Sequence, residues 1–141
     1  MQRVKKAAVR VNGHLEASTG PGLLALVGIR ESDSRAEADY LAEKLVELRI
    51  FPDESGKMNL TARDTGAELL LVSQFTLYAD CSRGRRPSFD AAARPEKARE
   101  LYEYFVEKVK EKGLETRTGV FQAHMEVELV NDGPVTLLIE K

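Results

Sequence analysis

The sequence predicts an α/β fold: a compact single domain, residues 1–141, with a mixed, strongly curved and barrel-like β-sheet packed against two main helices. Three observations lead to this prediction. The length of 141 residues suits one domain. The composition, 43% hydrophobic and 31% charged, is that of a globular chain with an ordinary core. Strand patterns outnumber helical patterns and hairpin signals alternate with helical crossovers, which favours a partly antiparallel, partly parallel sheet.

The first part of the chain carries three strand patterns. Val4–Val11 contains β-branched residues and ends at Asn12-Gly13, a pair that tolerates positive φ and is typical of tight hairpins. His14–Ser18 is the expected returning strand. Leu23–Ile29 follows a Gly-Pro-Gly turn and is almost entirely apolar, so we expect it to be a buried strand of the sheet.

Two stretches have helical periodicity. Ser34 and Glu37 form a capping box, in which each side chain accepts a hydrogen bond from the other residue's backbone N–H. An apolar stripe follows them, and a second stripe follows Pro95, a residue that suits the first turn of a helix. Gly113 is the expected C-terminal cap of the second helix. The stripes are Ala38, Leu41, Ala42, Leu45 and Leu48, then Ala98, Leu101, Tyr102, Phe105 and Val109.

Four further strands are expected in the second half of the chain. Glu68–Leu77 is almost continuously apolar, as strands buried on both faces are. Three shorter strands are predicted after the second helix, and Asn131–Pro134 is the expected turn between the last two. These strands are Glu115–Phe121, Met125–Leu129 and Val135–Glu140.

Composition and motifs exclude several classes of protein. The single Cys81 precludes an internal disulfide, and no apolar run is long enough for a signal peptide or a membrane span. We therefore expect a cytoplasmic protein with no membrane partner. No Walker loop, GxGxxG, HExxH or CxxC pattern occurs in the sequence. The sequence thus predicts neither a cofactor nor a metal site.

Three polar stretches are candidates for a functional site. Ser73–Leu77 places hydroxyl and amide groups at the end of the most apolar strand, Asn131–Thr136 lies between two apolar strands, and Gly84–Phe89 is a basic loop. Each also has an ordinary structural explanation, because buried polar groups can be satisfied within a core and loop charges can simply be solvated. A nucleophilic dyad of Ser73 with His124 is a further alternative.

Together these stretches resemble the D-aminoacyl-tRNA deacylase (D-tyrosyl-tRNA(Tyr) deacylase) family, in the family's order and over essentially the whole chain. The motifs that carry the resemblance are LRIFPDESGKMNL (48–60), SQFTLYAD (73–80), GRRPSF (84–89) and NDGPVT (131–136). The resemblance implies a homodimer with two active sites at the subunit interface. It also implies a substrate, tRNA carrying a D-amino acid or glycine, whose ester to the terminal ribose is hydrolysed.

The resemblance assigns a role to the residues that follow the buried strand. Ser73, Gln74, Phe75 and Thr76 match one wall of the family's catalytic pocket. The backbone N–H of Phe75 matches the donor that stabilises the oxyanion. Thr76 is the competing candidate for a nucleophile, but the sequence offers no base beside it, which favours attack assisted by the 2′-hydroxyl of the RNA.

The resemblance also identifies residues that select the substrate. Gly133 and Pro134 match a cis pair that reaches into the partner's pocket, where its carbonyls grip the α-amino group and exclude an L side chain. Arg3 matches an arginine that packs near this pair. Phe121 and Met125 match residues that cradle the terminal adenine; the alternative is that both are core residues of a strand.

Two arginines and two departures from the family pattern complete the comparison. Arg85 and Arg86 are expected to contact phosphates of the acceptor stem. Gln122 stands where a glycine is common in the family, and His124 is also unusual at its position, so the proposed adenine site is where this chain differs most from the family.

Two other functions fit part of the pattern: a non-catalytic RNA-binding module of the same fold, and an esterase with a Ser or Thr nucleophile.

Overall fold

Eight strands and three α-helices follow one another along residues 1–141, all of which the computed structural model describes. In chain order they are β1 (Gln2–Val11), β2 (His14–Thr19), β3 (Gly22–Val27), α1 (Arg35–Glu47), β4 (Phe51–Pro52), β5 (Met58–Leu60), α2 (Ala62–Thr65), β6 (Glu68–Ser73), α3 (Pro95–Lys110), β7 (Thr116–Thr118) and β8 (Glu126–Thr136). A 3-10 turn, Phe75–Tyr78, follows β6. Six strands form one sheet in the order β2-β1-β3-β6-β7, with β8 also paired to β1, whereas β4 pairs with β5.

Strand β1 has partners on both of its edges. Its C-terminal part pairs with β2 and its first residues pair with β3, both antiparallel. Along the other edge it pairs with β8 from Gln2 to Arg10. The pairs β3-β6 and β6-β7 are parallel, so the sheet is mixed. The predicted α/β fold with a curved, barrel-like sheet is confirmed.

Strand β6 is buried on both faces of this sheet. Leu69 and Leu71 belong to the apolar core beneath α1 and α3, whereas Leu70 and Val72 belong to a second core inside the curve of the sheet. All four side chains are completely buried. Because successive side chains of a strand point to opposite faces, two cores require the continuous apolar run seen in the sequence.

Strands β3 and β6 approach each other closely at Gly22. A Cβ atom at this position would overlap the backbone of Glu68, its partner in the parallel register. The carboxylate of Glu68 accepts a hydrogen bond from the backbone N–H of Gly20 at 2.9 Å. The Gly-Pro-Gly segment is therefore required by the neighbouring strand as well as by the turn.

The two main helices begin where the sequence predicts. Ser34 and Glu37 form the capping box of α1, and the backbone N–H of Ser34 donates to Glu37 Oε2 at 2.8 Å. Pro95 is the first residue of α3. The predicted cap at Gly113 is displaced, because α3 ends at Lys110 and Gly113, with φ 83°, closes the turn that follows.

Neither these helices nor α2 have the length and apolarity that a membrane crossing requires.

The C-terminal strands differ most from the sequence prediction. Met125–Leu129 and Val135–Glu140 were expected as two strands around a turn, but β8 runs as one strand through the whole predicted turn. The reason is β1, whose ten residues offer one long edge for pairing. Beyond β8, residues 137–141 form no strand, although the N–H of Leu137 donates to the carbonyl of Met1 at 2.9 Å.

Two other predicted strands are shorter in the structure. The strand expected over Glu68–Leu77 stops at Ser73, where the 3-10 turn takes over. The strand expected over Glu115–Phe121 is reduced to β7, which pairs only with β6. The short elements β4, β5 and α2 carry no periodicity that a sequence pattern could reveal, since each has four residues or fewer.

Thr19 is the one buried side chain whose polar atom lacks a hydrogen-bond partner. We expect Thr19→Val to raise the free energy of unfolding by about 1 kcal/mol, because it removes an unsatisfied buried hydroxyl. Urea unfolding measures the change. Thr116→Val is the matched control, since Thr116 Oγ1 donates to the carbonyl of Leu114 at 3.0 Å and its loss should lower stability. Equal destabilisation of both variants would contradict the expectation.

Candidate active site

A cavity of about 620 Å³ opens where strand β6 ends. Ser73, Gln74 and Phe75 line it, and Phe121 and Met125 line it as well. These residues are far apart in the sequence, and the family resemblance assigned them to the site. The structure brings them together within one chain. Further lining residues include Phe89, Ala92, Pro95, Ala98, Gln122 and His124.

The turn after β6 is held against strand β3. The N–H of Gln74 donates to the carbonyl of Val27 at 2.8 Å, which continues the pairing of the two strands by one bond. Gly28 lies directly beneath the turn: a Cβ there would come within 3.1 Å of the Tyr78 ring and 3.3 Å of the Gln74 carbonyl. The close approach allowed by glycine thus sets the position of the turn.

Two aromatic rings form one wall of the cavity. Phe75 and Phe89 meet edge to face, with 5.0 Å between their ring centroids. Phe89 follows a short antiparallel bridge in which Asp80 and Ser88 exchange two backbone hydrogen bonds of 2.8 and 3.0 Å. The sequence did not identify Phe89 as a site residue, although it ends the GRRPSF motif. The aromatic residue at the end of a basic loop was the available signal.

The opposite end of the cavity is formed by the turn before β8. Phe121 packs on Tyr102 of α3, with ring centroids 5.9 Å apart. The guanidinium carbon of Arg99 lies 4.6 Å from the Phe121 centroid. Gly119 leaves the space that the Met125 sulfur occupies, since a Cβ there would lie 2.8 Å from it. Phe121 and Met125 are therefore held by neighbours that the sequence did not single out.

Tyr102 connects this end of the cavity to strand β6. Its hydroxyl is buried and donates to the carbonyl of Leu71 at 2.9 Å. Burial raises the pKa of the Tyr102 hydroxyl well above its ordinary value. The phenol therefore stays protonated and remains a hydrogen-bond donor over the pH range in which proteins are studied.

His124 and Ser73 line the same cavity, but no hydrogen bond joins them. The hydroxyl of Thr76 accepts a hydrogen bond from the side-chain amide of Gln74, and Thr76 does not line the cavity. No imidazole or carboxylate is hydrogen-bonded to either hydroxyl. No group of three or more His, Cys, Asp and Glu side chains is arranged to hold a metal ion.

Strand β8 makes an excursion away from β1 at the NDGPVT motif. Gln2 pairs with Thr136 and Val4 pairs with Asn131, so residues 132–135 stand opposite a single residue of β1. The side-chain amide of Asn131 closes the base of the excursion by donating to Thr136 Oγ1 at 2.8 Å. The motif is therefore a defined projection from the sheet and not a connection between two strands.

Arg3 is the residue opposite this projection, and its side chain, 11% exposed, fills the space beneath it. Arg3 Nε donates to the carbonyl of Asp132 at 3.2 Å and lies 3.3 Å from its carboxylate, while Nη1 donates to the carbonyl of Ile50 at 2.5 Å. Gly133 and Pro134 are exposed at the tip, and the peptide bond between them is cis. None of these residues lines the cavity of its own chain.

Arg85 and Arg86 lie in the exposed loop between the Asp80 and Ser88 bridge partners. Neither lines the cavity, and neither forms an ion pair with an acidic side chain. Because the bridge leads directly to Phe89, these two charges stand close in the chain to the aromatic wall.

A protein-family model described as D-Tyr-tRNA(Tyr) deacylase matches residues 1–140. The chain belongs to this family. A relative from Koribacter versatilis (strain Ellin345), named D-aminoacyl-tRNA deacylase, is 59% identical over 99% of this chain and 94% of its own. One of the same name from Pelobacter propionicus (strain DSM 2379 / NBRC 103807 / OttBd1) is 55% identical over 100% and 97%. The family and the enzyme class predicted from the motifs, a hydrolase acting on aminoacyl-tRNA, are confirmed.

Solved structures share the fold of this chain. A structure described as c-Myc DNA Unwinding Element Binding Protein is 38% identical, with a TM-score of 0.93, and covers 99% of this chain and 95% of that one. A structure described as a probable eukaryotic D-amino acid tRNA deacylase has a TM-score of 0.82 over 94% and 92% of the two chains. Its 14% identity makes it evidence for the shared fold alone.

Proposed function

We propose that the chain hydrolyses the ester that joins a D-amino acid, or glycine, to the terminal ribose of tRNA, releasing the amino acid and the tRNA. The observation that carries the proposal is the cavity, which combines the groups of Ser73–Phe75 with the side chains of Phe121 and Met125. Backbone donors suit an acyl group, and aromatic and thioether surfaces suit a base. Together they fit the 3′ end of a charged tRNA, a substrate of the cytoplasm.

In the proposed reaction the backbone N–H of Phe75 stabilises the oxyanion. Phe75 is the first residue of the 3-10 turn, and N–H groups at the start of a helical turn have no partner within it. Such a donor is available to the negative charge that develops on the ester carbonyl oxygen. The bond from Gln74 to Val27 supports this role, because it fixes the turn before the substrate arrives.

The attack on the ester is assisted by the neighbouring 2′-hydroxyl of the terminal ribose. Aminoacyl esters are already activated, so the enzyme has to supply mainly positioning and charge stabilisation. The partner of the Thr76 hydroxyl is an amide, which cannot act as a base. This contact favours a mechanism in which the 2′-hydroxyl of the RNA, and not Thr76, assists the attack on the ester.

Substitution of His124 or Thr76 has a different effect on kcat in a reaction with a protein nucleophile than in an RNA-assisted reaction. We expect His124→Ala and Thr76→Ala each to keep kcat within about threefold of the wild type, whereas loss of a true nucleophile or its base costs several orders of magnitude. Single-turnover hydrolysis of D-tyrosyl-tRNA measures the effect. Urea unfolding of each variant serves as the control for folding. A folded but inactive variant would establish the Ser or Thr esterase instead.

Chirality is selected in a homodimer, where Gly133 and Pro134 of one subunit enter the pocket of the other. Their exposure at the tip of a projection supports this arrangement, as does their absence from the lining of the cavity in their own chain. Arg3 anchors the projection through the carbonyl of Asp132, the residue before Gly133, and backbone anchored in this way forms a firmer steric block than a mobile side chain. Glycine, which has no side chain to exclude, is expected to pass.

Exposed apolar side chains support the dimer. Leu26, Leu77 and Leu138 line one shallow cavity and are 37%, 46% and 77% exposed. Phe75 is 54% exposed two residues before Leu77. Neighbouring exposed side chains of this size commonly mark an interface with another protein. This face adjoins the turn after β6, so a partner bound here stands beside the catalytic pocket.

Hydrolysis of matched D-tyrosyl- and L-tyrosyl-tRNA by the purified protein, with a chelator present, tests the proposal. We expect release of D-tyrosine and no release of L-tyrosine above the spontaneous rate.

Arg85 and Arg86 are proposed to contact acceptor-stem phosphates, so binding of uncharged tRNA should weaken as salt increases. Salt-dependent tRNA binding without hydrolysis of either ester would favour the RNA-binding module.

A further inference from the structure

Arg99 makes three contacts at the rim of the cavity. Its guanidinium carbon lies 4.6 Å from the centroid of the Phe121 ring. Its Nη2 atom donates to Gln122 Oε1 at 3.2 Å, and its Nη1 atom lies 3.8 Å from Glu103 Oε1. Because Arg99 belongs to α3, these contacts tie the irregular turn before β8 to a regular helix.

The backbone of Gln122 has a conformation that needs such support. Its φ of 63° is in the left-handed region, which residues with a side chain rarely adopt. A guanidinium has only donors, so the amide oxygen of Gln122 has to face Arg99 and the amide NH₂ faces elsewhere. The contact with Arg99 therefore fixes both the turn and the orientation of an amide that lines the cavity.

The Phe121 ring is constrained by a second neighbour. Tyr102 packs on it at 5.9 Å, and Tyr102 is itself held by its hydrogen bond to the carbonyl of Leu71. Arg99 and Tyr102 both project from α3 and hold the ring from the helix side. Losing Arg99 would leave the ring without its cation–π partner and the Gln122 side-chain amide without its hydrogen-bond donor.

We propose that Arg99 is a positioning residue, which holds Phe121 and Gln122 in the geometry that receives the terminal base of the tRNA. The proposal rests on the proposed function, since it names what fixes the base-binding end of the same cavity. Arg99 acts through its two neighbours and does not touch the ester, so its role is in binding and not in the chemical step.

Arg99→Gln tests the proposal through separate measurement of KM and kcat with D-tyrosyl-tRNA. We expect KM to rise about 5- to 10-fold and kcat to stay within about twofold, because a cation–π contact and a hydrogen bond to the base site are lost. Arg35→Gln is the matched control. Arg35 lies 4.9 Å from the Tyr104 centroid and 3.4 Å from Glu100 Oε1, on surfaces away from the cavity.

A substrate without phosphates separates positioning from a direct contact with the RNA backbone. D-tyrosyl-adenosine carries the base and the ester alone, so a positioning role predicts the same increase in KM as with tRNA. An increase confined to tRNA would mean that Arg99 binds phosphate and would overturn the proposal. An unchanged KM with both substrates would overturn it as well.

Gln122→Gly distinguishes the two contacts of Arg99. This variant relieves the left-handed backbone and removes the hydrogen bond but keeps the arginine over Phe121, so we expect KM to rise less than in Arg99→Gln. A wild-type protein that leaves D-tyrosyl-tRNA intact refutes the proposed function and the role of Arg99 with it. An active wild type with an unaffected Arg99→Gln variant refutes only the latter.

Discussion

A D-tyrosyl-tRNA whose terminal ribose lacks the 2′-hydroxyl is expected to be hydrolysed about 10²- to 10⁴-fold more slowly than the natural ester, the range over which a positioned acid–base group contributes. The cavity offers a backbone donor and polar side chains at Ser73–Phe75. The hydroxyl of Thr76 is hydrogen-bonded to an amide. With no base hydrogen-bonded to a hydroxyl of the site, the hydroxyl of the substrate is the group whose removal costs most.

Spontaneous hydrolysis has to be measured for both esters, because the 2′-hydroxyl also affects the uncatalysed rate. The relevant quantity is the acceleration by the enzyme, obtained from single-turnover rates with and without protein. Competitive inhibition by the deoxy substrate shows that it still binds. Equal acceleration of the two esters would require a nucleophile or base from the protein, and Ser73 and His124 would then be examined first.

Gly133→Ala is expected to lower kcat/KM for the D-ester about 100-fold, the cost of displacing a positioning group by about 1 Å. Gly133 has a φ of 118°, which disfavours any side chain. A Cβ atom there would lie 2.7 Å from Arg3 Nη2 and 3.1 Å from a methyl group of Val135. Arg3 is held by Asp132 and Ile50, so the projection has to shift.

Gly13→Ala is the matched control for this variant. Gly13 also has a positive φ, 79°, but nothing lies within 4 Å of the added Cβ, and the hairpin is remote from the cavity. We expect Gly13→Ala to lose some stability and to keep its activity. If Gly133→Ala and Gly13→Ala were equally active, the projection would have no part in catalysis. Rates with the L-ester show whether chiral rejection weakens together with activity.

The parts of the fold that depend on local signals could be predicted from the sequence. The capping box at Ser34 and Glu37 requires only residues three positions apart, and Pro95 marks a helix start by its own geometry. The apolar run of β6 predicts burial on both faces, but it does not predict that the strand ends at Ser73 or that the 3-10 turn Phe75–Tyr78 follows. In each case the information lies within a few residues.

The parts that depend on distant partners could not be predicted from periodicity. The NDGPVT stretch has the composition of a turn, yet it belongs to β8 because β1 supplies a partner on either side of the projection. The roles of Phe89 and Arg99 depend on which rings they contact, Phe75 and Phe121. No pattern along the chain predicts these contacts. The motifs therefore identified some residues that line the cavity but not Phe89 and Arg99, which pack against them.

The pairing of β1 with β8 has a consequence for biosynthesis. Strand β1 is made well before residues 126–136, which are its partner along one whole edge. Until then the edge of β1 has unpaired N–H and C=O groups, and the core inside the sheet lacks Val127 and Leu129. The nascent chain therefore carries an open edge until β8 is made, and chaperones can protect such a surface from aggregation during this interval.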